Sequence, residues 1–301
     1  MLLRRLFHHT PLVSIHATEV VTSSQSVLST LRKKTGFAIA NCKKALEINN
    51  NDIGKAESWL ISQAQTQGWA KAAKLQNRST PNGLIGVAFD NKSAVMVEVN
   101  CETDFVAKNE KFQLLVAQAT EVCFRNAVAI PQKNDLLEIE FSSEQLGALQ
   151  ANVNSKLSDL LALNIGQIGE NILLRRGAAL CSTKNTLKFS CSTHPQNLLG
   201  GAVLGKYAAV FAYEESKPSS ELAELTEIIN IENLPKQLCQ HIIGMNPSTI
   251  EKTETSSGEE ETALYHQEFL ACPEYTVKEV LAHVGWQIKG FLRYECGESL
   301  N

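Results

Sequence analysis
An α+β fold is predicted for this chain. It comprises a small three-helix N-terminal domain and a core of two similar subdomains, each an antiparallel sheet covered by helices. Three observations predict it. Residues 24–68 repeat short helical patterns with no strand between them. At Asn100 a strict two-residue apolar alternation stops, and a three-to-four-residue rhythm begins just beyond it. Strands followed by a covering helix then come a second time in the C-terminal half, the layering of an α+β core. The repeat is architectural, since residue identity between the halves is weak.

A chain of 301 residues has room for two or three compact units. Hydrophobic content of 44% and charged content of 20% are those of an ordinary soluble globular protein. The formal charge is −4, or −6 once Arg4 and Arg5 are set aside with the leader described next. That disfavours broad binding to a phosphate backbone, which needs clustered Lys and Arg. No apolar run approaches the roughly 18 residues a membrane helix needs. The eight cysteines form no CxxC pair and no Cys/His cluster with zinc-ligand spacing, so a reduced compartment without disulfides or metal is expected.

Residues 1–18 hold Arg4 and Arg5, three His and no acid. Leu2, Leu3, Leu6 and Phe7 fall on one helical face and the two Arg on another. This is the composition of a mitochondrial presequence, and a location in the mitochondrial matrix is expected from it.

Within 24–68, the first helix carries Val27, Leu28 and Leu31 and stops at Lys33-Lys34-Thr35-Gly36, a basic last turn before a Gly. The second repeats Ile39, Cys42, Ala45 and Leu46. The third follows the capping run Asn50-Asn51-Asp52 and repeats Ile53, Ala56 and Leu60. About 45 residues with three small apolar faces make a core of marginal stability. A polar linker is expected over 69–82. The core is divided into an N-terminal subdomain, 83–165, and a C-terminal one, 166–301.

Leu84–Phe89 and Ser93–Asn100 alternate around Asp90-Asn91-Lys92, which predicts a hairpin with Val95, Val97 and Val99 on one face. Thr103-Asp104-Phe105-Val106 forms the corner that follows. Either Thr103 or Asp104 suits a helix N-cap, and Phe105 either staples the corner inward or projects outward. Phe112, Leu115, Val116, Ala119, Val122 and Cys123 then mark the covering helix. Residues 131–141 are expected to connect. Ser142-Ser143-Glu144 opens one helix whose buried side is Leu146, Leu149, Val153, Leu157, Leu160 and Leu161, interrupted by Gly166 and Gly169. Asn171–Ser182, Thr186–Cys191 and Ala202–Tyr213 are strand candidates. Glu221–Ile243 is helical with an interruption near Pro235. Residues 251–262 are acidic and lack apolar side chains, as in a surface loop. Val277, Val280, Leu281 and Val284 mark a helix, and Gln287–Glu295 a closing strand.

Gly200–Tyr207, GGAVLGKY, nearly spells a phosphate-binding loop. Tyr207 stands where a hydroxyl residue should hold magnesium, and a strand pattern follows where the loop needs a helix N-terminus. His194, His241, His266 and His283 accompany no nucleophile motif. No covalent chemistry, cofactor or metal is expected.

Six ordered blocks, LRKKTGFAIANCKKAL, VEVNCETDFVAKNEKF, IGENILLRR, LGKYAAVF, QHIIGMNP and FLRYECGE, resemble the elongation factor Ts family, whose N-terminal domain is of the ubiquitin-associated type. QHIIGMNP, LGKY and ECGE resemble its mitochondrial branch. The resemblance implies a guanine-nucleotide exchange factor that binds mitochondrial elongation factor Tu, GDP-bound and nucleotide-free, without covalent catalysis. It implies that Phe105 wedges into the partner's nucleotide-binding domain near its magnesium and switch helix, with Thr103, Asp104 and Val106 as the corner around it. Ile168, Gly169 and His194 would lie toward the phosphate-loop side. Arg32, Ile39 and Ala40 would grip the same partner domain, although the family often has a Met pair where Ile39 and Ala40 stand. The family's long coiled-coil hairpin has no counterpart in 251–262, so dimerisation of the kind seen in some bacterial members is not implied. Neither direct nucleic-acid nor membrane binding is implied. Two other classes compete: an adaptor binding ubiquitin through Gly36-Phe37, and a phosphate-loop enzyme acting at Gly200–Tyr207.

Overall fold
In a computed structural model, the described residues are 19–37, 39–130, 135–218, 225–252 and 262–300. The expected presequence, 1–18, lies outside them, as does most of the acidic segment. The chain divides into two compact units, residues 1–64 and 65–301. Among the described residues, no helix is long and apolar enough to cross a membrane.

In the first unit, α1 (Glu19–Thr35) ends where Gly36 takes a left-handed φ of 68° and donates its N–H to Arg32 O at 2.8 Å. The turn between α2 (Ile39–Ile48) and α3 (Ile53–Leu75) places Asn50 and Asn51 at positive φ, and Asp52 Oδ1 accepts the Lys55 N–H at 2.9 Å. Leu31, Cys42, Ala45, Leu46, Ala56 and Leu60 form the core, as their spacing predicts. Half of the stretch 69–82 is helix, one of the two forms its polar composition allows, because α3 continues through Gly68 to Leu75 without a capping residue to stop it.

The second unit takes in the end of α3, from Gln65, and then the predicted hairpin, β1 (Asn82–Phe89) and β2 (Ser93–Cys101). Next come α4 (Asp104–Ala107) and α5 (Glu110–Val128), whose apolar stripe is buried as expected. The strand β3 (Leu137–Ser142) lies where a connection is expected. The single long helix expected from Ser142 is instead two, α6 (Ser143–Ala148) and α7 (Leu157–Ile168). They are separated by the small hairpin of β4 (Gln150–Asn152) and β5 (Ser155–Lys156). Asn152 Oδ1 accepts the Asn154 N–H at 3.0 Å, a side-chain-closed turn that competes with helix. Val153, assigned to the buried side by spacing, is 96% exposed at its tip.

Beyond α7 come β6 (Ile172–Cys181), β7 (Leu187–His194), β8 (Asn197–Leu199), β9 (Ala202–Gly205) and β10 (Tyr207–Glu215). The expected strand Ala202–Tyr213 is thus two, broken at Lys206. Helices α8 (Leu225–Ile228) and α9 (Leu234–Met245) follow; Pro235 sits in the first turn of α9, where its missing N–H costs nothing. A small hairpin, β11 (Glu268–Phe269) and β12 (Cys272–Thr276), leads to α10 (Val277–Val284) and β13 (Trp286–Glu295).

The strands form antiparallel sheets, a six-stranded one ordered β3-β6-β2-β1-β9-β8 and a three-stranded one ordered β13-β10-β7. The first sheet thus takes in β6, β8 and β9, which lie within 166–301. The reason is visible in β6: Leu174, Ala179 and Cys181 face the helix-side core, while Ala178 and Leu180 face the other side. A strand apolar on both faces fits only inside a sheet covered on both faces. Every residue of β2 is buried for the same reason. Val95, Val97 and Val99 meet α5, whereas Ala94 and Met96 meet Ala208, Val210 and Ala212 of β10. The far face of β10, with Phe211 and Tyr213, packs under α9 and α10. The order is helices, six-stranded sheet, three-stranded sheet, helices.

Among the described residues, one carboxylate lies fully inside. Glu98 of β2 is fully buried and accepts from Arg175 at 2.9 Å, Arg176 at 2.7 Å and the Gly297 N–H at 2.7 Å. Arg176 also stacks on the Tyr294 ring, 3.8 Å from its centroid, and pairs with Glu298. Glu98 thereby ties the C-terminal end of β13 to the centre of the first sheet.

Candidate functional site
Strand β2 leaves the sheet at Cys101, and Thr103 turns the chain into the single turn α4. Thr103 has extended backbone (φ −124°, ψ 155°), and its hydroxyl accepts the Val106 N–H at 3.3 Å, the N-cap that its residue type allows. Asp104 is exposed and pairs with Lys108 at 2.9 Å; that hydrogen bond holds its carboxyl below the usual carboxylate range. Val106 turns inward and joins the core, so this expected contact residue seats the corner instead of facing out. Phe105 points the other way and is 80% exposed. Behind the corner, burial pushes the Cys101 thiol up to about 12, which leaves it a poor nucleophile.

A second corner stands beside the first. Helix α7 ends at Ile168, and Gly169 adopts φ 89° while donating its N–H to Ile165 O at 2.9 Å. A Cβ at Gly169 would meet nothing within 4 Å, so glycine answers to the backbone conformation and not to crowding. Ile168 is half-buried against the core and Gly169 is exposed. Lys71 donates to Gly166 O at 2.9 Å and Lys111 to Gln167 Oε1 at 3.4 Å, holding this helix end from two sides.

The corners are joined by carboxylates. Glu170 accepts the Thr103 N–H at 3.1 Å and the Thr103 hydroxyl at 2.9 Å. In return Glu102 accepts the Asn171 N–H at 2.7 Å, and it also pairs with Arg78 at 3.3 Å. Neither Glu102 nor Glu170 was singled out from sequence. The available signal was the same arrangement in each loop, an acid directly before a hydrogen-bonding residue, Glu102-Thr103 and Glu170-Asn171.

The remaining predicted residues lie on other elements. His194 is exposed at the end of β7, in a cleft it shares with Gln196, Lys236 and Gln240, and its carbonyl accepts the Lys206 N–H at 2.9 Å. In the first unit, Arg32 is exposed at the end of α1, while Ile39 and Ala40 are exposed at the start of α2, with Ile39 at 51%. Phe37, on which the adaptor reading rests, packs against the helical core. Gly200 and Gly201, at positive φ, turn the chain between β8 and β9, and strand follows them instead of helix. That geometry offers no helix N-terminus to a phosphate.

At the Thr103 corner the polar groups bond to one another and the ring faces outward. Comparison with known proteins gives the family. The model described as elongation factor Ts, mitochondrial, N-terminal matches residues 12–70, and that described as elongation factor TS matches residues 102–259. The mitochondrial elongation factor Ts of Aedes aegypti is 41% identical over 288 residues, covering 93% of this chain and 90% of that protein. Its Drosophila melanogaster counterpart is 39% identical over 99% of this chain and 94% of its own length. The Homo sapiens protein is 37% identical over 98% and 88%. The chain belongs to the elongation factor Ts family of translation elongation factors.

Proposed function
We propose that this chain acts in the mitochondrial matrix, where it docks on elongation factor Tu carrying GDP and promotes exchange of GDP for GTP. It does so without covalent catalysis. The observation that carries the reading is Phe105, 80% exposed on a corner capped by Thr103 and seated by Val106. Exchange needs only differential binding. A factor that grips the empty partner more tightly than the GDP-loaded one weakens GDP binding by the same factor that GDP weakens its own. A ring pressed into the partner beside its magnesium and phosphate loops would displace those loops, and the energy comes from burying the ring. Ile168, Gly169 and His194 stand as further contacts to the same partner domain. Arg32, Ile39 and Ala40 are proposed as a grip from the helical domain.

Stopped-flow release of fluorescent GDP from mitochondrial elongation factor Tu tests this directly. Release accelerates when the chain is added; an unchanged rate at saturating concentrations overturns the proposal.

A further inference from the structure
We propose that Glu170 is a positioning residue for exchange: through Thr103 it fixes the direction in which Phe105 points and makes the two corners one rigid tool. The inference rests on the docking role of Phe105 proposed above.

The geometry is reciprocal. Each loop contributes one carboxylate and has one backbone N–H taken up by the other loop's carboxylate: Glu170 holds Thr103, and Glu102 holds Asn171. These bonds satisfy loop N–H groups that would otherwise need solvent, and bonds to an ionised acceptor are roughly twice as strong as neutral ones. The Thr103 hydroxyl acts in both directions at once, donating to Glu170 and accepting the Val106 N–H. Rotating that hydroxyl away from Glu170 therefore loosens the first turn of α4, the turn that carries Phe105. On the other side, Glu170 directly follows Gly169, so the same carboxylate is one residue from the second corner. The pair is also anchored behind: the Asn171 side chain donates to Arg78 O at 2.9 Å and the Asn82 side chain to Glu102 O at 3.0 Å.

A ring on a compliant mount yields when pressed, and it must be ordered at the moment of docking. Glu170 removes that freedom beforehand. Its loss should therefore lower the rate of GDP release at saturating factor more than it lowers the stability of the fold.

The experiment compares Glu170→Gln, Phe105→Ala and the double variant in full-length chains, reading GDP release from elongation factor Tu and thermal melting. Glu170→Gln slows release at saturation by about tenfold, the loss of one charge-assisted hydrogen bond. In the Phe105→Ala background the same change has little further effect, because no ring is left to aim. Thr103→Val carries the same expectation should Glu170→Gln not fold, and Thr103→Ser, which keeps the hydroxyl, recovers most of that loss. Wild-type release by Glu170→Gln overturns the inference. So does a slowing that adds in full on top of Phe105→Ala, since that marks a merely structural role. If Phe105→Ala itself releases GDP at the wild-type rate, the docking reading fails, and the inference with it.

Discussion

Phe105 and Val106 are adjacent in sequence and opposite in environment: the ring is 80% exposed, while the valine beside it is 9% exposed in the core. Truncating the ring therefore costs the fold little, within about 0.5 kcal/mol as for surface changes generally. Truncating a docking anchor costs about 2 kcal/mol, or some thirtyfold. Phe105→Ala is expected to melt at the wild-type temperature and to slow GDP release by about that factor. Stopped-flow kinetics beside a melting curve checks both halves.

Glu98 gives the converse case, a fully buried residue on which the fold depends. Removing its carboxylate leaves Arg175 and Arg176, each less than a fifth exposed, facing a neutral site. Breaking a buried pair costs about 3–5 kcal/mol; the low end is expected for Glu98→Gln, because Glu298 still pairs with Arg176. Urea unfolding measures it, and a loss under 1 kcal/mol would contradict a structural role.

His241 makes stability depend on pH. It is fully buried; its Nδ1 accepts the Leu270 N–H at 3.2 Å, so its Nε2 donates to Gln267 Oε1 at 3.0 Å, the neutral tautomer. Burial holds its pKa below the ordinary 6.5. The unfolded chain thus takes up the proton first, and stability falls as pH drops below that value toward the folded-state pKa. The melting temperature is expected to decline through this window, with a shallower decline in His241→Asn. Equal slopes would remove His241 as the cause.

Two glycines separate backbone conformation from space. At Gly68 a Cβ would lie 1.8 Å from Ala162 O, between α3 and α7, whereas at Gly169 nothing lies within 4 Å and only the positive φ resists. Gly169→Ala should cost about 1–2 kcal/mol from the left-handed backbone. Gly68→Ala should cost about 1–3 kcal/mol from overpacking, and it forces the helices apart. Denaturant unfolding of the two variants ranks Gly68→Ala as the more disruptive.

Val153 stands in solvent where apolar spacing alone predicts a core position. Its spacing assigns it to a buried helix face, yet it is 96% exposed on a turn, and Val153→Asn is expected to change stability by less than about 0.5 kcal/mol. Unfolding midpoints of the two proteins test this.

The α+β class, the three N-terminal helices, the hairpin and the stripe of α5 were legible because each rests on local rhythm and capping. What escaped depends on contacts far apart in sequence. β6 and β9 join the first sheet by pairing, which apolar alternation does not reveal; both-sided burial of Ala178 and Ala179 is the only local trace. Spacing alone reads α6 and α7 as one helix, because Asn152-Val153-Asn154 breaks the pattern by a side-chain turn, not by Gly or Pro. At the corner, Thr103 as cap and Phe105 as a residue able to project were readable. Glu102 and Glu170 were not, since each has its partner 67 to 69 residues away.

Lys206 occupies the one position between β9, in the first sheet, and β10, in the second; its N–H donates to His194 O and its carbonyl accepts from the Cys296 N–H. With only one residue between β9 and β10, this crossing leaves no slack for one sheet to swing against the other. An inserted residue at that joint would invert the alternation of β10, turning Phe211 toward the small-residue gap and Val210 toward the helices. On the docking role proposed for Phe105, a push against the ring would be shared by both sheets, because this crossing has no length to give.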